Sequence, residues 1–172
     1  MRLERTKIAL LAEDDYEDME LWYPYLRLQE EGADEQVIGT GASSYASKHG
    51  LEVDVDYKVD HAVTSNYDAV VIPGGWAPDR LRRYRPMVDF VREIHERDGI
   101  CAAICHGGSL LISAGLVEGR RCTSFESIRD DIENAGGEWI DREVVEDDGV
   151  ITSRRPDDLS AFCRAIIEAL AE

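Results

Sequence analysis

The stretch GICAAICHGGSLLISAGLV, residues 99–117, constrains the fold more than any other part of the chain. A short apolar run ends at Cys105, His106 and two glycines follow, and an apolar pattern with helical spacing then begins. A strand that ends at a nucleophile and turns sharply into a helix needs small residues in the turn, and Gly107 and Gly108 supply them. The stretch therefore predicts a strand, a tight turn at Cys105 and a helix.

Strand and helix patterns alternate along the rest of the chain. Short apolar runs predict buried strands at Lys7–Ala12, Gln36–Gly39 and Ala69–Pro73, and the period-two pattern of Leu51–Val59 predicts a strand outside the main sheet. Further patterns predict a helix from a cap at Asp14 or Asp15 to Gly32, helices at Met87–Arg97, Ser127–Ala135 and Asp158–Leu170, and a hairpin of Glu143–Val145 with Val150–Thr152. This alternation predicts one α/β domain over residues 1–172, with a mostly parallel sheet and helices on both faces.

Three conspicuous features follow predicted strands. They are the acidic loop after Ala12, Gly74-Gly75 after Pro73, and Cys105 after Ile104. Because parallel α/β sheets bind ligands at the carboxyl ends of their strands, these features are expected to meet at one edge of the sheet.

Composition excludes several function classes. The net charge of −17 argues against nucleic acid as a partner, because a phosphate backbone requires a basic patch. The apolar runs are too short to span a membrane and no signal peptide is recognised, so we expect a cytoplasmic protein.

The irregular spacing of the cysteines and histidines argues against a disulfide framework and a metal site. Cys101, Cys122 and Cys163 are predicted to be small buried hydrophobes.

The predicted turn alone would activate the Cys105 thiol only modestly. A helix N-terminus contributes about 0.3–2 kcal/mol, which lowers a thiol pKa by about one unit at most. His106 and Glu17 are the candidate helpers. Residues adjacent across a sharp turn usually point apart, so sequence alone does not pair His106 with the thiol. An ionised Glu17 would raise the thiol pKa, whereas a protonated Glu17 could donate a hydrogen bond to the thiolate.

Long motifs in a fixed order carry a resemblance to a known family. They are EDDYEDMELWYPYLRL near the start, VVIPGGWAPDRLR, AAICHGGSLLISAGLVEGRR, TSFESIRDDIENAGGEWIDREVV and ITSRRPDDL. Together they resemble the DJ-1/PfpI superfamily, specifically its PfpI branch of intracellular cysteine peptidase-like proteins, over roughly residues 7–170.

The resemblance implies a flavodoxin-like α/β sandwich and a cofactor-independent site. It implies Cys105 as nucleophile, His106 beside it and Glu17 as the acid hydrogen-bonded to the thiol. It places the oxyanion donors at the backbone N–H groups of Gly75 and His106. The residue that orients the histidine would be Asp79 of a neighbouring subunit, which implies a homo-oligomer with shared active sites.

The chain departs from the family pattern at three places. Asp79 stands where the PfpI branch usually has Glu, which shortens its reach by one methylene. Gly108 replaces a usual Pro, and Phe125-Glu126 replaces a usual Tyr-Pro, which removes a hydroxyl near the site and weakens any expectation of peptidase activity.

Three functions fit these residues. The first is an enzyme whose Cys105 attacks reactive carbonyls, resembling the glyoxalase and deglycase activities ascribed to the superfamily. The second is an intracellular cysteine peptidase, and the third is a non-enzymatic stress-response protein that senses oxidation at Cys105. A class I glutamine amidotransferase ranks last, because no distal His-x-Glu pair is recognised in the sequence. A narrow pocket ringed by Trp76, Tyr16 and a neighbouring subunit would admit a small carbonyl such as methylglyoxal but not an extended peptide.

Overall fold

A seven-stranded sheet forms the centre of the computed structural model, which describes residues 1–171. The strand order is β10-β11-β7-β6-β1-β2-β5, and every neighbouring pair is parallel except β10 with β11. These strands are β1 (Lys7–Leu11), β2 (Asp34–Gly39), β5 (Tyr57–Lys58), β6 (Ala69–Ile72), β7 (Ile100–Ile104), β10 (Val144–Asp147) and β11 (Val150–Ser153). Two small sheets pair β3 (Ser44–Ala46) with β4 (Glu52–Asp54), and β8 (Arg121–Cys122) with β9 (Glu138–Trp139).

Six α-helices accompany the sheet within the described residues, and two hydrophobic cores show that both of its faces are covered. The helices are α1 (Asp18–Glu30), α2 (Ala77–Leu81), α3 (Arg85–Glu96), α4 (Gly108–Ala114), α5 (Arg129–Asn134) and α6 (Leu159–Leu170). Alternate residues of β7 divide between the faces: Cys101 and Ala103 join the core under α3 and α4, whereas Ala102 and Ile104 join the core under α1 and α6. The predicted mostly parallel sheet between helical layers is confirmed.

The prediction of one strand over Leu51–Val59 is wrong. The structure divides this segment into β4, which pairs with β3, and β5, which joins the edge of the main sheet beside β2. Asp56, in the connection between β4 and β5, bonds this connection to β2, because its backbone N–H donates to Val37 O and its carboxylate accepts from Val37 N. The alternating pattern is therefore shared between two sheets.

The predicted cap of α1 at Asp14 or Asp15 is also wrong. The helix begins at Asp18, after Glu17. Asp14 accepts a hydrogen bond from the Ala46 backbone, and the Asp15 backbone bonds to Ala46 O and to Trp76 N. These two residues fasten neighbouring loops instead of capping the helix. No helix within residues 1–171 is long and apolar enough to cross a membrane.

Candidate active site

Cys105 occupies a strained turn at the carboxyl end of β7. Its φ is +60°, in the left-handed region that L residues rarely adopt, and a 3₁₀ turn over Cys105–Gly107 leads directly into α4. Such a conformation costs about 1–3 kcal/mol and persists only where the surrounding structure imposes it. The result is the predicted nucleophile elbow, with the cysteine at the edge of the sheet.

The glycines around this turn are required where chain segments approach closely. A Cβ on Gly107 would lie 2.6 Å from Ile72 O, so the turn can rest against β6 only without a side chain there. A Cβ on Gly74 would lie 2.8 Å from the Cys105 Cβ. Gly108 is different, because a Cβ there would meet its nearest neighbour at 3.4 Å, an ordinary contact.

Glu20 is the acid that the structure places against the Cys105 thiol. Its side chain is fully buried, its Oε2 accepts a 2.7 Å hydrogen bond from Gly74 N, and the carboxyl is within hydrogen-bonding reach of the sulfur. Glu17, the predicted partner, lines the same cavity, but its carboxylate pairs with Lys48 Nζ at 2.8 Å. The expectation that Glu17 bonds to the thiol is corrected to Glu20, because Glu17 precedes the first turn of α1.

A signal for Glu20 was present in the sequence. Glu20, Pro24 and Leu28 recur every four residues, and all three are buried on the inner face of α1. An acid at a position of the buried stripe costs free energy unless its polar atoms are paired or protonated, so such an acid is a candidate for function.

Burial raises the pKa of Glu20 to about 7, and the negative charge of Glu17 adds to the rise. Glu20 Oε1 is buried and has no hydrogen-bond partner among the described residues. A proton on Oε1 would resolve this unpaired state, since a protonated carboxyl can donate a hydrogen bond to sulfur. Glu20 is therefore able to hold or release a proton near neutral pH.

Burial also raises the pKa of the Cys105 thiol, and an ionised Glu20 raises it further. The backbone N–H groups of His106 and Gly75 are directed at the sulfur and oppose this rise without overcoming it. The modest lowering expected from a helix N-terminus is thus outweighed. Burial therefore favours the protonated thiol, which needs a base to become a nucleophile.

His106 lies within reach of that thiol despite being the next residue in the chain. Its Nδ1 is 3.4 Å from Cys105 Sγ, and its Nε2 is 3.1 Å from Ser127 Oγ. The ring stacks on Phe125, with centroids 5.2 Å apart and planes 25° apart, and Trp76 lies 6.3 Å away on centroids. Burial lowers the pKa of His106, and the charge of Asp79 opposes this. Ser127 was missed from the sequence, because only the fold brings it to the histidine.

Asp79 lies on the exposed side of α2. Its carboxylate forms no hydrogen bond or ion pair within residues 1–171, and its influence on His106 in the same chain is that of a nearby charge. The role predicted for Asp79 of a neighbouring subunit stays a prediction.

The thiol faces a cavity of about 200 Å³. Its lining is made of Glu17, Glu20, Lys48, Gly75, Trp76, Cys105, His106, Phe125 and Pro156. Trp76 is 60% exposed, whereas Tyr16 is fully buried and hydrogen-bonds to Leu51 O, so Tyr16 supports the loop and does not ring the opening. The N–H groups of Gly75 and His106 border the space beside the sulfur, where an oxygen developing negative charge could be held.

One group of side chains near the cavity has the composition of a metal site. Ligand atoms of Glu17, Asp18 and His49 lie within 4.8 Å of one another. Each is engaged with protein: Glu17 with Lys48, and Asp18 with both Ser47 Oγ at 2.6 Å and His49 Nδ1 at 2.8 Å. These contacts connect the loop of residues 47–49 to the start of α1.

Comparison with known proteins places this geometry in context. The sequence profile of the DJ-1/PfpI family matches residues 6–169. A protein of Pyrococcus furiosus named Deglycase PfpI is 44% identical over 164 residues, which cover 95% of this chain and 99% of that protein. A deglycase of Thermococcus kodakarensis is 42% identical with the same coverage.

Solved structures give the same result. A two-domain protein of Anabaena variabilis, with DJ-1/ThiJ/PfpI-like and ferritin-like domains, has a TM-score of 0.94 at 40% identity, over 96% of this chain and 48% of that chain. This chain thus spans about half of that protein. DJ-1 of Schizosaccharomyces pombe has a TM-score of 0.88 at 20% identity, over 97% of this chain and 93% of that chain, a likeness in fold.

Proposed function

Since this chain belongs to the DJ-1/PfpI family, we propose that it is a cysteine-dependent enzyme acting on reactive carbonyls, of the glyoxalase or deglycase type. One observation carries the proposal: the Cys105 thiol faces a small cavity between two backbone N–H donors and beside a carboxyl whose pKa is about 7. The relatives from Pyrococcus furiosus and Thermococcus kodakarensis are named deglycases, which supports the same class of substrate.

The first chemical step is addition of the thiol to an aldehyde carbon. His106 Nδ1 takes the S–H proton, sulfur forms the C–S bond, and the carbonyl π electrons move to oxygen. The N–H groups of Gly75 and His106 stabilise that oxygen until it is protonated, giving a hemithioacetal.

With methylglyoxal, the later steps need a proton shuttle. Moving the hydrogen of the former aldehyde carbon to the neighbouring carbonyl carbon, and the hydroxyl proton to that carbonyl's oxygen, converts the hemithioacetal into a thioester of lactate. Water then hydrolyses the thioester and restores the thiol, so that methylglyoxal and one water yield lactate. Glu20 is suited to the proton transfer, because a pKa of about 7 lets it accept and return a proton at neutral pH.

The size of the cavity favours a small carbonyl over a peptide. About 200 Å³ accommodates a three-carbon dicarbonyl, whereas drug-sized ligands occupy sites of roughly 300–1,000 Å³.

The test compares purified wild-type protein with Cys105→Ala and Cys101→Ala, using methylglyoxal and a denatured protein as alternative substrates. Cys101 is a matched control, because it lies on the same strand and is fully buried. We expect lactate formation by the wild type and Cys101→Ala, and none above background by Cys105→Ala. Peptide hydrolysis without carbonyl turnover would support the peptidase instead, and activity retained by Cys105→Ala would reject Cys105 as nucleophile.

We further propose that the site is shared in a homo-oligomer, with Asp79 of a neighbouring subunit approaching His106. Cys105→Ala and Asp79→Ala chains, each inactive alone, should regain part of the wild-type activity when unfolded and reassembled together, since some sites then combine both intact residues. Full activity of Asp79→Ala alone, or no recovery in verified mixed oligomers, would reject the shared site.

A further inference from the structure

His106 is held by a short segment of the loop that precedes α5. Phe125 stacks on the imidazole, and Ser127, two residues later, places its Oγ 3.1 Å from Nε2. On the other side of the ring, Nδ1 faces Cys105 Sγ at 3.4 Å. The imidazole is therefore fixed at both nitrogens, and its orientation toward the thiol depends on the Phe125–Ser127 segment.

This segment is itself anchored to the nucleophile turn. Phe125 N donates a 3.2 Å hydrogen bond to Cys105 O, and Ser124 Oγ donates to Phe125 O at 2.9 Å while accepting from Trp139 Nε1 at 3.0 Å. Among the described residues, the bond to His106 is the sole hydrogen bond of the Ser127 side chain. Its hydroxyl is thus directed by the histidine and by no other protein group.

We propose that Ser127 is a positioning residue that accepts a hydrogen bond from His106 Nε2–H and so keeps the Nδ1 lone pair aimed at the Cys105 thiol. A neutral imidazole carries one ring proton, and placing it on Nε2 leaves Nδ1 free to accept the S–H proton. After that transfer both ring N–H groups have partners, because Nδ1–H donates to the sulfur and Nε2–H donates to the Ser127 hydroxyl. This inference deepens the proposed function, on which its kinetic readout rests.

The serine also supplies a hydroxyl beside a position where the sequence departs from the family pattern. Phe125 stands where that pattern has a Tyr, and Ser127, two residues further on, places its hydroxyl at His106 Nε2. A hydroxyl at Nε2 holds the ring in one orientation without adding a charge of its own. Burial, which lowers the pKa of His106, favours the neutral imidazole.

The decisive measurement is the tautomer of His106, read from ring-nitrogen chemical shifts of protein labelled with ¹⁵N-histidine, with His106→Gln to assign the signals. In the wild type at neutral pH we expect a proton on Nε2 and none on Nδ1. Ser127→Ala should shift the population toward the Nδ1–H form, and Ser127→Thr, which keeps the hydroxyl, should restore it. Ser113→Ala is the matched control, because Ser113 Oγ bonds to Arg82 Nε and not to the site.

A kinetic readout supplements the spectrum. Loss of one hydrogen bond of ordinary strength predicts a fall in kcat of about 2- to 12-fold in Ser127→Ala, with KM unchanged and recovery in Ser127→Thr. A wild-type His106 protonated on Nδ1, or a Ser127→Ala spectrum identical to wild type, would overturn the proposal. The spectrum needs no substrate, so absence of carbonyl turnover in the wild type would reject the proposed function and leave this inference to be decided by the tautomer.

Discussion

The two ends of the central sheet both bring polar side chains together, yet only the carboxyl end combines them with a reactive geometry. The amino end has a depression of about 440 Å³, more than twice the volume beside Cys105. Its lining residues, which include Asp68, Arg97 and Asp98, contain no cysteine or histidine. This larger opening lacks the adjacent thiol and imidazole of the carboxyl end, so volume alone does not locate the site.

The cysteines at the two ends of β7 show the same difference. Cys101 lies in regular strand, fully buried, with its S–H directed at Val91 O, whereas Cys105 adopts a φ of +60° and is 8% exposed beside its cavity. Near Cys101, His95 Nε2 contacts Arg120 Nη2 at 2.9 Å, and Arg120 Nη2 donates to Asp148 at 2.6 Å. The arginine beside this half-buried histidine favours the neutral imidazole, because burial and the guanidinium charge both lower the pKa of His95.

The largest expected effect is the difference in thiol reactivity between these two cysteines. Limiting iodoacetamide should alkylate Cys105 at least about 1,000-fold faster than Cys101, because a core strand must open, at a cost of several kcal/mol, before Cys101 meets reagent. Peptide mass mapping over a time course measures both rates. Equal labelling of Cys101, Cys122 or Cys163 would remove the distinction between the two ends of β7.

The next effect is a pH dependence of stability that arises from Glu20. The folded carboxyl keeps its proton up to a pH of about 7, whereas an unfolded Glu releases it near 4.5. The folded state therefore binds more protons between these values, and the free energy of unfolding should fall by roughly 3 kcal/mol as pH rises from 4.5 to 7, and then level off.

Denaturant unfolding across this pH range checks the slope, with Glu20→Gln and Glu35→Gln as separate variants. Glu35, on β2, is the matched control at the other end of the sheet, because burial raises its pKa to about 7 as well. Each substitution should remove part of the slope, since a glutamine does not titrate. A slope untouched by Glu20→Gln would show that this carboxyl is not protonated in the folded protein.

The smallest effect concerns the thiol pKa of Cys105. Glu20→Gln removes a negative charge and can still donate a hydrogen bond to the thiolate, so it should lower this pKa by about one unit or more. Glu20→Ala removes the charge but also leaves Gly74 N without its acceptor, and should lower it less. Glu17→Gln should have little effect, because that carboxylate pairs with Lys48.

Thiolate absorbance titrations of the four proteins, with Cys105→Ala subtracted as background, give these values. A thiol pKa lower in Glu20→Ala than in Glu20→Gln would contradict a role for the donated hydrogen bond. A response to Glu17→Gln as large as that to Glu20→Gln would return the sequence-based assignment of Glu17 to consideration.

The sequence by itself determined the buried strands β1, β2, β6 and β7, the main helices, the turn at Cys105 and the approach of Cys105 to Gly74-Gly75, but not the short strands β3, β8 and β9 or the division of Leu51–Val59 into β4 and β5. These are local consequences of apolar periodicity and of glycines placed where the backbone needs them. The four-residue spacing of Glu20 with Pro24 and Leu28 was also visible in the sequence, and these three residues form the buried stripe of α1.

Only the tertiary structure decided which side chains complete the site. Glu17 and Glu20 are three residues apart, and the packing of α1 against β2 and α6 directs Glu20 toward Gly74 and the sulfur and leaves Glu17 to Lys48. Ser127 lies 21 residues from His106, and no periodicity in the sequence links them. The physical reason is that burial, which raises the pKa of Glu20 and of Cys105, and a hydrogen bond between distant loops are properties of packing, which exist only once the sheet and its helices have assembled.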